Sequence, residues 1–121
     1  MIKTTSYEIS KELEEIDFDV DTIFYYDSEN EECQIWHELP IKLESEFVKS
    51  FDLETILDAL PKDLIIEGNY CILTLWTKGK VIFYANIMDK RFYECRNEGE
   101  SLADTAARLL ITLIKDKIVK L

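Results

Sequence analysis

The sequence predicts an α+β domain, with one antiparallel sheet of about five strands and helices packed on it, on both faces, in the manner of an α-β-α sandwich. Three observations predict it. Residues 70–96 hold three β-branched and aromatic runs separated by short polar turns. Helical periodicity brackets those runs near the start, in the middle and at the end of the chain. Apolar residues also fall on both faces of the runs, where a sheet with one wet face would alternate apolar with polar.

The first helix spans residues 5–16. Thr5 stands as its cap and Glu8 follows three residues later as a capping-box partner. Ile9, Leu13 and Ile16 make one stripe, while Lys11, Glu12, Glu14 and Glu15 face water. Two strands follow, TIFYYD at 22–27 and CQIWHE at 33–38, joined by the acidic hairpin loop 28–32 and ended by Pro40. Residues 41–50 carry no clear period and read as an irregular connection.

A short helix at 53–60 comes next. Asp52 caps it, Phe51 and Ile56 form a hydrophobic staple, and Pro61 stops it. The strands YCILTLWT (70–77), VIFYANIM (81–88) and RFYECR (91–96) then form a meander, with turns at Lys78-Gly79-Lys80 and Asp89-Lys90. The last helix starts at Ser101, which pairs with Asp104 as a capping box using Asp for the usual Glu. Asp104 and Arg108 make an i,i+4 pair on its wet side, and Lys115, Lys117 and Lys120 suit the negative end of its dipole.

The 121 residues fit a single domain, 1–121. Apolar residues make up 47% of the chain, against only three Gly and two Pro, so there is enough apolar surface to offset the entropy of ordering. The net charge of −11 is unevenly placed. Residues 1–50 hold 14 acidic and 4 basic side chains, a net of −10, whereas residues 51–121 hold 11 and 10, a net of −1. The acidic half is thus 1–50, and the meander with its helix, 62–121, is near-neutral. An acidic surface of this kind repels nucleic acid and anionic lipid and attracts basic partners. The expected partner is therefore a protein, of basic character, with neither nucleic acid nor membrane bound directly. The opening residues lack the apolar stretch of a signal peptide, and no apolar run approaches the ~20 residues of a membrane span. A cytoplasmic location is expected.

Motifs that carry chemistry are sparse. Cys33, Cys71 and Cys95 form no CxxC pair and read as small buried hydrophobes in a reducing compartment. His37 is the sole histidine, and its neighbours Trp36 and Glu38 point to the other face of its strand. Asp17, Asp19 and Asp21 imitate the opening of an EF-hand loop, but Thr22 stands where its glycine belongs and Ser28 where its glutamate belongs. Phe18 and Val20 between them look like core anchors. Three isolated glycines build no phosphate cradle. No catalytic set, cofactor or metal is expected.

The segments FDLETILDALPKDL, CILTLWTKGKVIFYANI and EGESLADTAARLLITLIKDK together have a familiar layout. They resemble small uncharacterised proteins of bacterial prophages and related mobile elements, whose C-terminal half resembles the phage α-β-α sandwich. The resemblance is most specific at Glu100-Ser101-Leu102-Ala103-Asp104. It implies an origin and a fold, and it carries over no catalytic residue.

The function expected from these features is that of a non-enzymatic protein-interaction module. Its candidate surface is the acidic hairpin of Asp27, Glu29, Glu31 and Glu32. Two alternatives stand beside it. One is an acidic nucleic-acid mimic that inhibits a host defence system. The other is a small-ligand binder or enzyme with a cleft near His37 and Trp36.

Overall fold

A computed structural model describes residues 3–27, 32–35 and 47–120. In chain order the elements are α1 (Tyr7–Glu15), β1 (Phe24–Asp27), β2 (Glu32–Ile35), β3 (Phe47–Ser50), α2 (Leu53–Ala59), β4 (Asp63–Ile66), β5 (Asn69–Trp76), β6 (Val81–Ala85), β7 (Arg91–Arg96) and α3 (Leu102–Lys115). The α+β class holds. The expected single sheet is instead two antiparallel sheets, of order β2-β1-β3 and β4-β5-β6-β7.

Two of the strands arise where none is expected. Residues 47–50 pair with β1, in the register Phe24↔Ser50 and Tyr26↔Val48. Their inward positions are Val48 and Ser50, and Ser50 is fully buried, so only one of the two inward residues is apolar and the hydrophobic period is too weak to read. Residues 63–66 pair with β5 through a tight turn at Glu67 and Gly68. Both turn residues have positive φ, 51° and 80°, as a type I′ hairpin requires. Strand β6 ends at Ala85 rather than Met88. There the Asn86 side chain accepts from the backbone N–H of Met88 and of Lys90 (3.0 and 2.9 Å), which closes a wider turn than the two residues expected.

The three helices form as the sequence predicts, with different end chemistry. Ser6, not Thr5, caps α1 by accepting from Ile9 N–H at 3.3 Å. Thr5 is wholly buried and serves as a hub. Its hydroxyl accepts from Phe51 N–H (3.1 Å) and shares a proton with Ser10 Oγ (2.7 Å). Its carbonyl accepts from the hydroxyls of Tyr26 (2.9 Å) and Ser50 (3.1 Å). One residue thus joins α1, β1 and β3. Asp52 caps α2 by accepting from Thr55 N–H at 3.0 Å, and the staple residues Phe51 and Ile56 are both buried.

The capping box of α3 is divided between two helices. Ser101 accepts from Asp104 N–H at 3.2 Å, as expected. The Asp104 carboxylate does not return to Ser101. It accepts from the backbone N–H of Ser6 at 2.6 Å, at the start of α1. Asp104 is therefore buried, only 5% exposed, and is not on the wet side of α3. Arg108 pairs instead with Glu100, through Nε at 2.8 Å and Nη2 at 2.5 Å, and also donates to the Arg96 carbonyl.

The core lies on one face of the four-stranded sheet. Leu13, Ile56, Leu60, Cys71, Ile82, Tyr84, Leu109, Leu110 and Leu113 are buried in a single cluster. Helix α3 packs on β6 and β7, α2 packs on α3, and α1 packs on α3 and β3. A bulge in β7 helps to close this face. Cys95 pairs with Ile82 and Phe92 with Tyr84, so Tyr93 and Glu94 together oppose Phe83. Tyr93, at φ 53°, packs beside Phe92 against the core.

Candidate interaction surface

The other face of the four-stranded sheet follows from the pairing register. Ile65 stands opposite Tyr70, Asp63 opposite Ile72, Thr74 opposite Phe83, and Ala85 opposite Arg91. Directly opposite residues share a face, so these side chains lie together, away from α3. Trp76, opposite Val81 and two residues on from Thr74, shares this face. Ile65 is 77% exposed, Tyr70 58%, Ile72 53% and Trp76 48%. Ile87 and Met88, in the turn beyond Ala85, are almost wholly exposed. That turn is tied to the start of β5 by the Asn86 amide, which donates to Asn69 Oδ1 at 3.2 Å. The two apolar turn residues thus stand at the Tyr70 end of the sheet.

Cover was expected on both faces over the central strands. On this face the centre is covered by side chains, not by a described helix. Phe83 is only 4% exposed, and the Arg91 guanidinium lies over its ring at 4.2 Å and near the Trp76 ring at 5.8 Å. Trp76 folds back over the β5–β6 turn, where a Cβ on Gly79 would come within 2.7 Å of its ring. Glu94 holds Arg91 (3.4 Å) and Arg96 (2.8 Å) in place. The result is a patch with aromatic ends, aliphatic residues along β4 and β5, and both signs of charge on β7. Tyr70 completes it by donating its hydroxyl to Asp63 Oδ2 at 2.8 Å.

A second feature is a cleft of about 570 Å³ between the end of α1 and β3, lined by Ser10, Glu14, Phe18, Tyr25 and Lys49 among others. At its rim the Lys49 ammonium donates to Asp19 at 2.5 Å and to the Val20 carbonyl at 3.3 Å. The hydrogen bond from Lys49 and its charge hold the Asp19 carboxyl below its usual range. Lys49 is thereby committed to structure, and the hydroxyl of Ser10 is engaged by Thr5. The imitation of an EF-hand is used the same way: Phe18 is buried and meets Phe51 edge-on at 5.0 Å, while Asp19 fastens the segment to β3.

Asp27 and Glu32 occupy opposite register positions on β1 and β2. Glu29, Glu31, Trp36 and His37 lie outside the described residues. Cys71 is buried and Cys95 half-buried. Burial pushes the Cys95 thiol up; the nearby Arg108 opposes that, and Glu100, Glu94 and Glu98 reinforce it. A thiol held protonated is a poor nucleophile.

Tyr70, Ile72 and Trp76 were visible in the sequence as apolar positions of an expected strand, whereas Ile65 lies on β4, which was not expected. What periodicity alone lacks is the identity of whatever covers them. No protein-family model matches the chain, and no curated protein or solved structure matches it.

Proposed function

We propose that the chain is a non-enzymatic protein-interaction module of mobile-element origin, and that the open face of the four-stranded sheet is its binding surface. The observation that supports this is the exposure of Ile65, Tyr70, Ile72 and Trp76 on one side of two adjacent strands. Ile87 and Met88, 98% and 83% exposed in the adjoining turn, bring the exposed large apolar side chains at this side of the sheet to six, and an exposed apolar cluster of this kind marks an interaction surface. The composition also suits an interface. Tyr, Trp and Arg are the residues that most often dominate binding energy, and Tyr70, Trp76 and Arg91 stand on this face.

The acidic first fifty residues then act on the approach of partners, repelling polyanions over distances of about a Debye length, ~8 Å at physiological salt. The mobile-element origin rests on the resemblance carried by Glu100–Asp104 and its flanks. A cytoplasmic setting rests on the unpaired thiols of Cys71 and Cys95. No described helix is long and apolar enough to cross a membrane.

A pull-down from host lysate tests the surface, using the native protein and the double variant Ile65→Lys/Ile72→Lys. Both positions are exposed, so the fold tolerates lysine there. The native chain is expected to retain proteins that the variant loses. Identical capture by both, together with self-association of the chain that is indifferent to lysine on this face, would sink the assignment.

A further inference from the structure

We infer that the occupant of the open sheet face is a second copy of this chain, packed sheet against sheet about a two-fold axis. This rests on the reading of that face as the binding surface. Three observations favour a second copy over a foreign partner.

The first is area. A stable, specific interface needs about 800 Å² from each partner, and toward it the face offers Ile65, Tyr70, Ile72, Ile87 and Met88, each more than half exposed, with Trp76 at 48% and the charged side chains of β7 beside them. The patch is also self-contained. It runs across β4 and β5 and over the β6–β7 turn, so two such patches can meet without a third element.

The second is charge. A chain of net charge −11 ought to repel its own copies. Residues 63–96, which carry the face, hold four acidic and five basic side chains. The acidic α1 packs on α3, and α3 covers the opposite side of the sheet. Two copies meeting through the open faces therefore bring near-neutral surfaces together and keep both acidic helices remote from the contact.

The third is self-complementarity. A two-fold interface sets each patch against itself, so it needs both signs of charge within one patch. Arg91, Arg96 and Glu94 lie side by side on β7, and Asp63 lies on β4. A uniformly basic or acidic rim would oppose like charges; this mixed one can exchange pairs across the axis. The face-to-face arrangement is that of stacked sheets, about 10 Å apart, with Ile65, Tyr70 and Ile72 interdigitating.

Sedimentation of the full chain across a concentration series tests this. The native protein is expected to pass from one-chain to two-chain mass as concentration rises. Ile72→Lys is expected to raise the dissociation constant at least tenfold while leaving the far-ultraviolet circular dichroism unchanged. Glu12→Lys, on the exposed side of α1, is expected to leave it where it is. Should Ile72→Lys fail to fold, Met88→Lys on the exposed turn takes its place. A native chain that stays monomeric throughout overturns the second copy as partner, and so does a dimer indifferent to both lysines. The broader reading is judged separately. If the chain is monomeric yet its pull-down still depends on Ile65 and Ile72, the face binds something else. If neither measurement responds to the lysines, the face is not a binding surface at all.

Discussion

Asp104→Ala is expected to loosen the junction between the first and last helices. The carboxylate of Asp104 is the acceptor for Ser6 N–H at 2.6 Å, in a site 5% exposed. Truncation leaves that amide without its partner, at the start of α1 where no intrahelical carbonyl can replace it. A buried donor left unsatisfied costs about 1–3 kcal/mol, and loss of a helix cap about 1 kcal/mol; both figures describe the same hydrogen bond and do not add. One effect works the other way. Burial pushes the Asp104 carboxyl above its ordinary 3.8, although the backbone N–H and hydroxyl of Ser6 pull it down, so the native carboxylate is itself held at some cost. The net destabilisation expected at neutral pH is about 1–2 kcal/mol, with a fall of about 4–8 °C in Tm. Asp104→Asn keeps an acceptor and should cost less. The pH dependence has a definite sign. From pH 3.8 up to the raised folded value, the folded chain binds more protons than the unfolded one, so the contribution of Asp104 falls as pH rises through that window. Asparagine cannot ionise. The stability difference between native and Asp104→Asn proteins is therefore largest at acid pH and shrinks toward neutrality. Urea denaturation at several pH values, followed by circular dichroism, reads both quantities. An alanine variant within 0.5 kcal/mol of native at every pH, or a native–asparagine difference that grows with pH, would refute the cross-helix cap.

Thr5→Val keeps the shape of the hub but removes its hydroxyl, leaving Phe51 N–H and Ser10 Oγ short of a partner; a loss of about 1–3 kcal/mol is expected in the same urea assay, and a neutral result would show that Thr5 acts through packing alone. Tyr84→Phe loses the hydrogen bond to the Pro61 carbonyl, worth about 0.5–1.5 kcal/mol. Burial raises the Tyr84 phenol well above its ordinary 10.0, so the unfolded chain releases this proton first and stability should fall as pH rises above 10.0; the phenylalanine variant should show a shallower alkaline decline.

Local rules make part of this fold legible. The caps at Asp52 and Ser101, the staple of Phe51 and Ile56, and strand β7 from Arg91 to Arg96 all appear where the residues predict them. Each depends on neighbours a few positions apart. What escaped depends on distant ones. Asp104 is followed by Arg108 at the spacing of a surface pair, but the backbone of Ser6, 98 positions away, claims its carboxylate. Ser50 interrupts the apolar period of β3 because the Thr5 carbonyl accepts its hydroxyl. The same limit governs the candidate site. Apolar residues on both faces of a sheet announce two covered faces, and they read identically whether the cover is a helix of the same chain or another molecule. On the inner face Leu64, Cys71, Ile82 and Tyr84 meet the helices. On the outer face Arg91 covers Phe83, and Ile65, Tyr70 and Ile72 stay exposed. The pattern that suggests a sandwich within one chain is equally the pattern of a sandwich completed by two.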